Sequence, residues 1–192
     1  MNERKLKMST IKFICNDTQY ENLKTGVWSL ILEHYLSSAF PNTNANYEHE
    51  GKDVYRERMH QLMLTELCHI EACEDGIIVD FDSTEDAGFS IAKSVYGTEM
   101  DYSDQGLTFL LPLFKNIVEN FPDICFDADT ECIDNWVEAY DHFSYDGNIL
   151  TQNGIDADKY ELVMANMFLS PEEIAEKTGL SFDEVMEIIS NN

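Results

Sequence analysis

The sequence is short of positive charge: twelve Lys and Arg stand against thirty-seven Asp and Glu in 192 residues, for a formal net charge of −25 at pH 7. A surface with so few cations repels nucleic acid and anionic membrane, which argues against a DNA- or RNA-binding domain. Also missing is any run of about 20 apolar residues, the length that a membrane-spanning helix needs. The basic Met1–Lys7 stretch is followed by Ser9–Asp17, too polar for the apolar segment of a signal peptide, so a cytoplasmic location and no membrane partner are expected. The five cysteines (Cys15, Cys68, Cys73, Cys125 and Cys132) are odd in number and irregularly spaced. That argues against a secreted disulfide framework and fits reduced thiols.

Catalytic motifs are lacking as well. There is no Gly-x-Ser-x-Gly elbow, no His-Glu-x-x-His and no phosphate-cradling glycine loop, and His34, His49, His60, His69 and His142 are scattered. Carboxylates are so numerous that no acid–base pair stands out. The expectation is a protein that is not an enzyme and uses no cofactor.

What is present is enough apolar material to fold. Hydrophobic residues make up 44% of the chain, with nine Tyr, eleven Phe and two Trp, which is not the composition of a disordered acidic segment. The charge is unevenly placed: residues 1–58 carry eight basic and eight acidic side chains, whereas residues 59–192 carry four basic (Lys93, Lys115, Lys159, Lys177) and twenty-nine acidic.

Alternation in Ser9–Cys15 predicts a first strand, and a helix is expected from Asp17 or Thr18, with Thr18 and Glu21 as a capping box, to near Phe40-Pro41. After a polar loop at 41–51, helical spacing of Tyr55, Met59, Leu62, Met63, Leu67 and Ile70 predicts a second helix over Val54–Cys73. A turn at Glu74-Asp75-Gly76 leads into a buried strand at Ile77–Phe81, then a helix over Ser83–Tyr96, a polar connector at Thr98–Gly106, and a helix over Leu107–Asn120, regular from Leu111 because of Pro112. Ile124–Ile133 and Phe143–Thr151, the latter holding the turn dipeptide Asp146-Gly147, read as antiparallel strands. From Asp156 the chain is expected to be helical, ending in Pro171–Thr178 and Phe182–Ser190, with Ser170/Glu173 and Ser181/Glu184 as caps. The fold class is therefore α+β: a mainly antiparallel sheet of about four strands covered by helices on one face. The expected organisation is an α+β domain at 1–155 and a helical C-terminal appendage at 156–192.

Three local patterns invite chemistry. The tail SPEEIAEKTGLSFDEVMEII resembles two helices of a helix-turn-helix, but its second helix carries Asp183, Glu184 and Glu187 and no Lys or Arg, so it is expected to pack or dock rather than read DNA. Asp127-x-Asp129-x-Glu131 with Asn135 and Glu138 matches EF-hand ligand positions, yet Cys132 stands where the loop needs glycine and the entering element reads as a strand, so an acidic strand edge facing solvent is expected instead. Cys68, His69, Cys73, Cys125 and Cys132 lack zinc-site spacings, and five residues of helix would point Cys68 and Cys73 to different sides, so no metal is expected.

The remaining feature is acid interleaved with aromatics: Asp80, Asp82, Asp101, Asp104, Asp127, Asp129, Glu131, Asp134, Glu138, Asp141 and Asp146, with Tyr102, Trp136, Tyr140 and Tyr145. In charge, size and absence of catalytic motifs, the chain resembles the acidic inhibitors that phages and mobile elements make against host nucleases, the anti-CRISPR and anti-restriction proteins. The resemblance implies a nucleic-acid mimic that occupies the basic DNA/RNA groove of a nuclease or its guide-RNA complex. On that reading Asp80, Asp82, Asp101, Asp104, Asp127, Asp129, Glu131, Asp134 and Glu138 are the candidate partner-binding acids, with Trp136 and Tyr140 among the buried anchors. The alternative is a non-catalytic adaptor or immunity-type protein that docks through its C-terminal hairpin.

Overall fold

Ile11 and Phe13 are fully buried while Lys12 and Ile14 are exposed, which is the period of a half-buried strand. In the computed structural model, which describes residues 9–38, 57, 68–81, 110–134 and 137–190, this segment is strand β1 (Ser9–Ile14). Helix α1 (Asp17–Ser38) follows at once. Its cap is Asn16, whose side-chain oxygen accepts the Thr18 and Gln19 N–H groups at 3.0 and 3.2 Å, while Gln19 Oε1 accepts the Asn16 N–H at 3.1 Å. The reciprocal box therefore lies two residues earlier than the expected Thr18/Glu21 pair, since Asn is as good a cap as Thr and Gln closes the box as Glu does. Leu23, Val27, Ile31 and Leu32 form its buried stripe.

The expected second helix meets a correction. Cys68–Cys73 is strand β2, paired antiparallel with β3 (Gly76–Phe81) across the tight Glu74-Asp75 turn. The cross-strand pairing of the hairpin overrides the local helical spacing. Of the remainder of that segment only Glu57 is described, as helical; the helix expected at 83–96 and the connectors at 41–51 and 98–106 lie outside the described residues. Helix α2 (Leu111–Asn120) carries Pro112 in its first turn, as expected, where the missing N–H has no helical partner to lose.

Strands β4 (Cys125–Asp134) and β5 (Val137–Tyr145) make a long hairpin, followed by β6 (Leu150–Gln152) and β7 (Ile155–Asp156). The strand expected at 143–151 is thus broken at Asp146-Gly147. There the Asp146 carboxylate accepts the Asn148 and Ile149 N–H groups, both at 2.9 Å, in a side-chain-stabilised turn. The seven described strands form one sheet in the order β2-β3-β1-β4-β5-β6-β7, with antiparallel pairings throughout, rather than a sheet of about four.

Helices α1 and α2 lie on one side of this sheet. The main core fills the space between them: Phe114 of α2 stacks on Phe143 at 4.3 Å and on Phe126 at 5.4 Å, and Phe126 in turn meets Phe13 at 5.6 Å. A second, smaller cluster of Val163, Ile174, Val185 and Ile188 holds together α3 (Ala157–Met164), α4 (Pro171–Thr178) and α5 (Phe182–Ser190). Ser170 with Glu173 and Ser181 with Glu184 cap α4 and α5 as the sequence predicts, and Gly179 ends α4 with φ of 76°. Lys115 of α2 reaches Asp158 at 2.8 Å and Glu161 at 2.6 Å of α3, tying the two clusters together. Among the described residues no helix is long and apolar enough to cross a membrane.

Candidate functional site

Because side chains alternate along a strand, each strand that turns its apolar residues to α1 and α2 turns the intervening ones outward. Register then decides which outward residues become neighbours. One row runs His69, Asp80, Thr10, Asp129, His142 across β2, β3, β1, β4 and β5. The next runs Glu71, Ile78, Lys12, Asp127, Ser144, Thr151, Asp156 and ends on β7.

Within the first row Thr10 donates its hydroxyl to Asp80 at 2.6 Å. His142 stands beside both β4 carboxylates, with Nδ1 3.0 Å from Asp129 Oδ1 and Nε2 3.3 Å from Asp127 Oδ2. The Asp127 and Asp129 side chains are 64% and 88% exposed, and His142 is 44% exposed. The hydrogen bond to Asp129 raises the His142 pKa above the ordinary histidine value; burial opposes it, and the Asp127 and Asp129 charges add to it. Ser144 and Thr151 share a hydroxyl hydrogen bond at 2.8 Å in the second row. Exposed Ile14 lies beyond that row, and Tyr140 is exposed two residues before His142.

Three of the acids singled out from the sequence, Asp80, Asp127 and Asp129, therefore share one outward face. Asp82, Asp101, Asp104, Trp136 and Tyr102 lie outside the described residues. Glu131, Asp134 and Glu138 are described by their backbones, paired with Tyr140, Val137 and Ile133 respectively. Tyr140 is 63% exposed, but Tyr145, expected as a partner-binding anchor, belongs to the core and donates its hydroxyl to the Pro122 carbonyl at 2.9 Å. Asp141 and Asp146 serve local structure, Asp141 by accepting from the Asn153 amide at 2.7 Å.

Residues that composition did not single out complete the face: Thr10, Lys12 and His142. The signal for them was register, since His142 precedes core-facing Phe143, but its position beside Asp129 depends on how β4 pairs with β5.

The expected acidic strand edge is corrected in one respect: β4 lies between β1 and β5 and presents a face, not an edge. Asp127 and Asp129 sit in a regular paired strand rather than a calcium loop, and among the described residues no group of three or more His, Cys, Asp or Glu is arranged to hold a metal. Cys68 and Cys73 lie on a strand, not a helix. Burial, with the Asp80 charge second, pushes the Cys68 thiol up to about 12, which makes it inert. Burial likewise raises the Cys15 thiol, with Cys73 and Asp17 adding to it.

No protein-family model matches the chain, and no curated protein or solved structure matches it.

Proposed function

We propose that this is an acidic binding protein that docks its outward sheet face on a basic protein surface, and that the partner is a nucleic-acid-binding protein, a CRISPR effector or restriction nuclease, inhibited by occupancy of its DNA/RNA groove. The observation that carries the reading is the convergence of Asp80 with Asp127 and Asp129, far apart in sequence, on one solvent-facing surface. Asp127 and Asp129 are two residues apart on one strand, about 6.7 Å along it, so they offer a pair of anionic charges at a spacing comparable to that of neighbouring phosphates. A chain of net charge −25 also steers itself toward a basic groove, with a rate that falls as salt rises.

The test is a cleavage assay with purified CRISPR effector and restriction nucleases at low and high salt, using the intact protein and an Asp80→Asn/Asp127→Lys/Asp129→Lys variant shown by circular dichroism to be folded. Salt-sensitive inhibition by the intact protein, lost in the variant, supports the proposal. Inhibition that survives in the variant rejects this face as the site, and absence of inhibition across the panel rejects the partner class.

The C-terminal hairpin supports a second reading, that of an adaptor. Phe168 is 76% exposed, with Lys177 over its ring at 5.4 Å, and Phe182 and Met186, one turn apart on α5, are 45% and 40% exposed. Serine substitutions at these three positions abolish partner binding on the adaptor reading and spare it on the first.

A further inference from the structure

Among the described residues, His142 is the basic side chain that stands between Asp127 and Asp129, two outward carboxylates of β4. Its backbone is held independently of them: Asn153 Oδ1 accepts the His142 N–H at 2.9 Å, and the Asn153 N–H donates to the His142 carbonyl at 2.7 Å, a clamp from the β6–β7 side. From that backbone the ring reaches both β4 carboxylates.

A protonated imidazole has a donor on each nitrogen and serves both Asp127 and Asp129, whereas a neutral one has a single donor and a lone pair. The contact to Asp129, at 3.0 Å from Nδ1, is shorter than the 3.3 Å contact from Nε2 to Asp127. The neutral ring therefore keeps its proton toward Asp129 and turns its Nε2 lone pair toward the Asp127 carboxylate, acceptor against acceptor. Resting on the reading of this face as the docking surface, we propose that His142 is a proton-controlled lock on the Asp127–Asp129 pair: charged, it holds both carboxylates; neutral, it releases Asp127 to a guanidinium or ammonium group of the partner.

The described groups around the lock are few. On β4 they are Asp127 and Asp129 themselves; on β1 they are Lys12, opposite Asp127, and Thr10, opposite Asp129. On its own strand Ser144 faces Thr151, and Asp141, on the other face, is engaged by Asn153. Of these described neighbours Lys12 is the only lysine or arginine. The change of charge near neutrality belongs to the imidazole.

The test uses the full chain and a hexa-arginine peptide as the cationic probe, with amide chemical shifts locating the bound peptide and ring shifts reporting His142. In the intact protein His142 titrates above the ordinary histidine value, and Asp129→Asn returns it toward that value. At low salt the peptide's affinity on β4 and β5 is about twofold to fivefold weaker at about pH 5.5 than at about pH 8.5, the size of one exposed ion pair. His142→Gln abolishes that difference. An ordinary His142 titration, or the same pH dependence in His142→Gln, overturns the lock. Binding at the higher pH that Asp127→Asn and Asp129→Asn leave undiminished instead overturns the docking face, so the two failures are told apart.

Discussion

Replacing His34 by leucine removes the one described histidine that the core refuses to protonate. His34 is 8% exposed on the buried side of α1, and burial pushes its imidazole down to about 4. In an unfolded chain it titrates near 6.5. Between those values the unfolded chain binds a proton that the folded chain does not, so stability falls as pH drops through that window and is regained as pH rises. The gap of roughly 2.5 pH units, at about 1.36 kcal/mol per unit, sets a ceiling of about 3 kcal/mol. Urea unfolding of the intact protein and of His34→Leu, between about pH 7.5 and about pH 4.5, measures it. The thirty-seven acidic side chains are common to both proteins and cancel in the difference. The variant gains on the intact protein as pH falls below 6.5, approaching that ceiling near pH 4. Loss of a histidine contact would shift the difference equally at every pH, so a difference that stays flat refutes the reasoning.

Three further outcomes test the fold and the face. Phe114→Ala removes a fully buried ring stacked on Phe143 and Phe126 and costs about 3–5 kcal/mol, lowering Tm by roughly 6–20 °C in a scanning experiment. Gly76→Ala places a Cβ inside contact distance of the Phe13 carbonyl oxygen at a φ of 158°, so it destabilises by more than about 1–3 kcal/mol; an unchanged urea midpoint would mean that β1 and β3 do not pair as described. Thr10→Asp loses the hydroxyl bond to Asp80 and sets like charge between Asp80 and Asp129, costing roughly 0.4–2 kcal/mol. Part of that loss should disappear in high salt, and a wholly salt-independent loss would exclude the electrostatic account.

The elements legible in the sequence were those whose signals are local. The boxes at Ser170/Glu173 and Ser181/Glu184 need only three-residue spacing, and β1 and β3 show their apolar alternation within six residues each. The missed elements depend on partners elsewhere in the chain. In β2 the Cys-His-Ile-Glu-Ala-Cys alternation is as short as the strand, and helical spacing upstream masked it until pairing with β3 decided the matter. Val137–His142 has little apolar contrast, and its strand form comes from its register with β4. The candidate face was legible in part for the same reason. Composition pointed to Asp80, Asp127 and Asp129, but only topology puts β1 between their strands and brings Thr10, Lys12 and His142 among them.

That interleaving bears on why the face can carry its charge at all. Like charges directly opposite one another in a sheet are destabilising, yet each described outward carboxylate of the inner strands has neutral or basic residues on both sides. Asp80 lies between His69 and Thr10, Asp129 between Thr10 and His142, and Asp127 between Lys12 and Ser144. Asp80 and Asp129 are therefore two strand spacings apart, about 9.6 Å, close to the distance over which salt at about 0.1 M screens exposed charges. At that distance their repulsion in water is about 0.4 kcal/mol before screening, whereas a cation brought to about 4 Å of either gains about 1 kcal/mol, and more as the interface excludes water. A surface spaced in this way is only weakly self-repelling yet attracts strongly at contact, and those are the two properties that a docking face built from carboxylates has to combine.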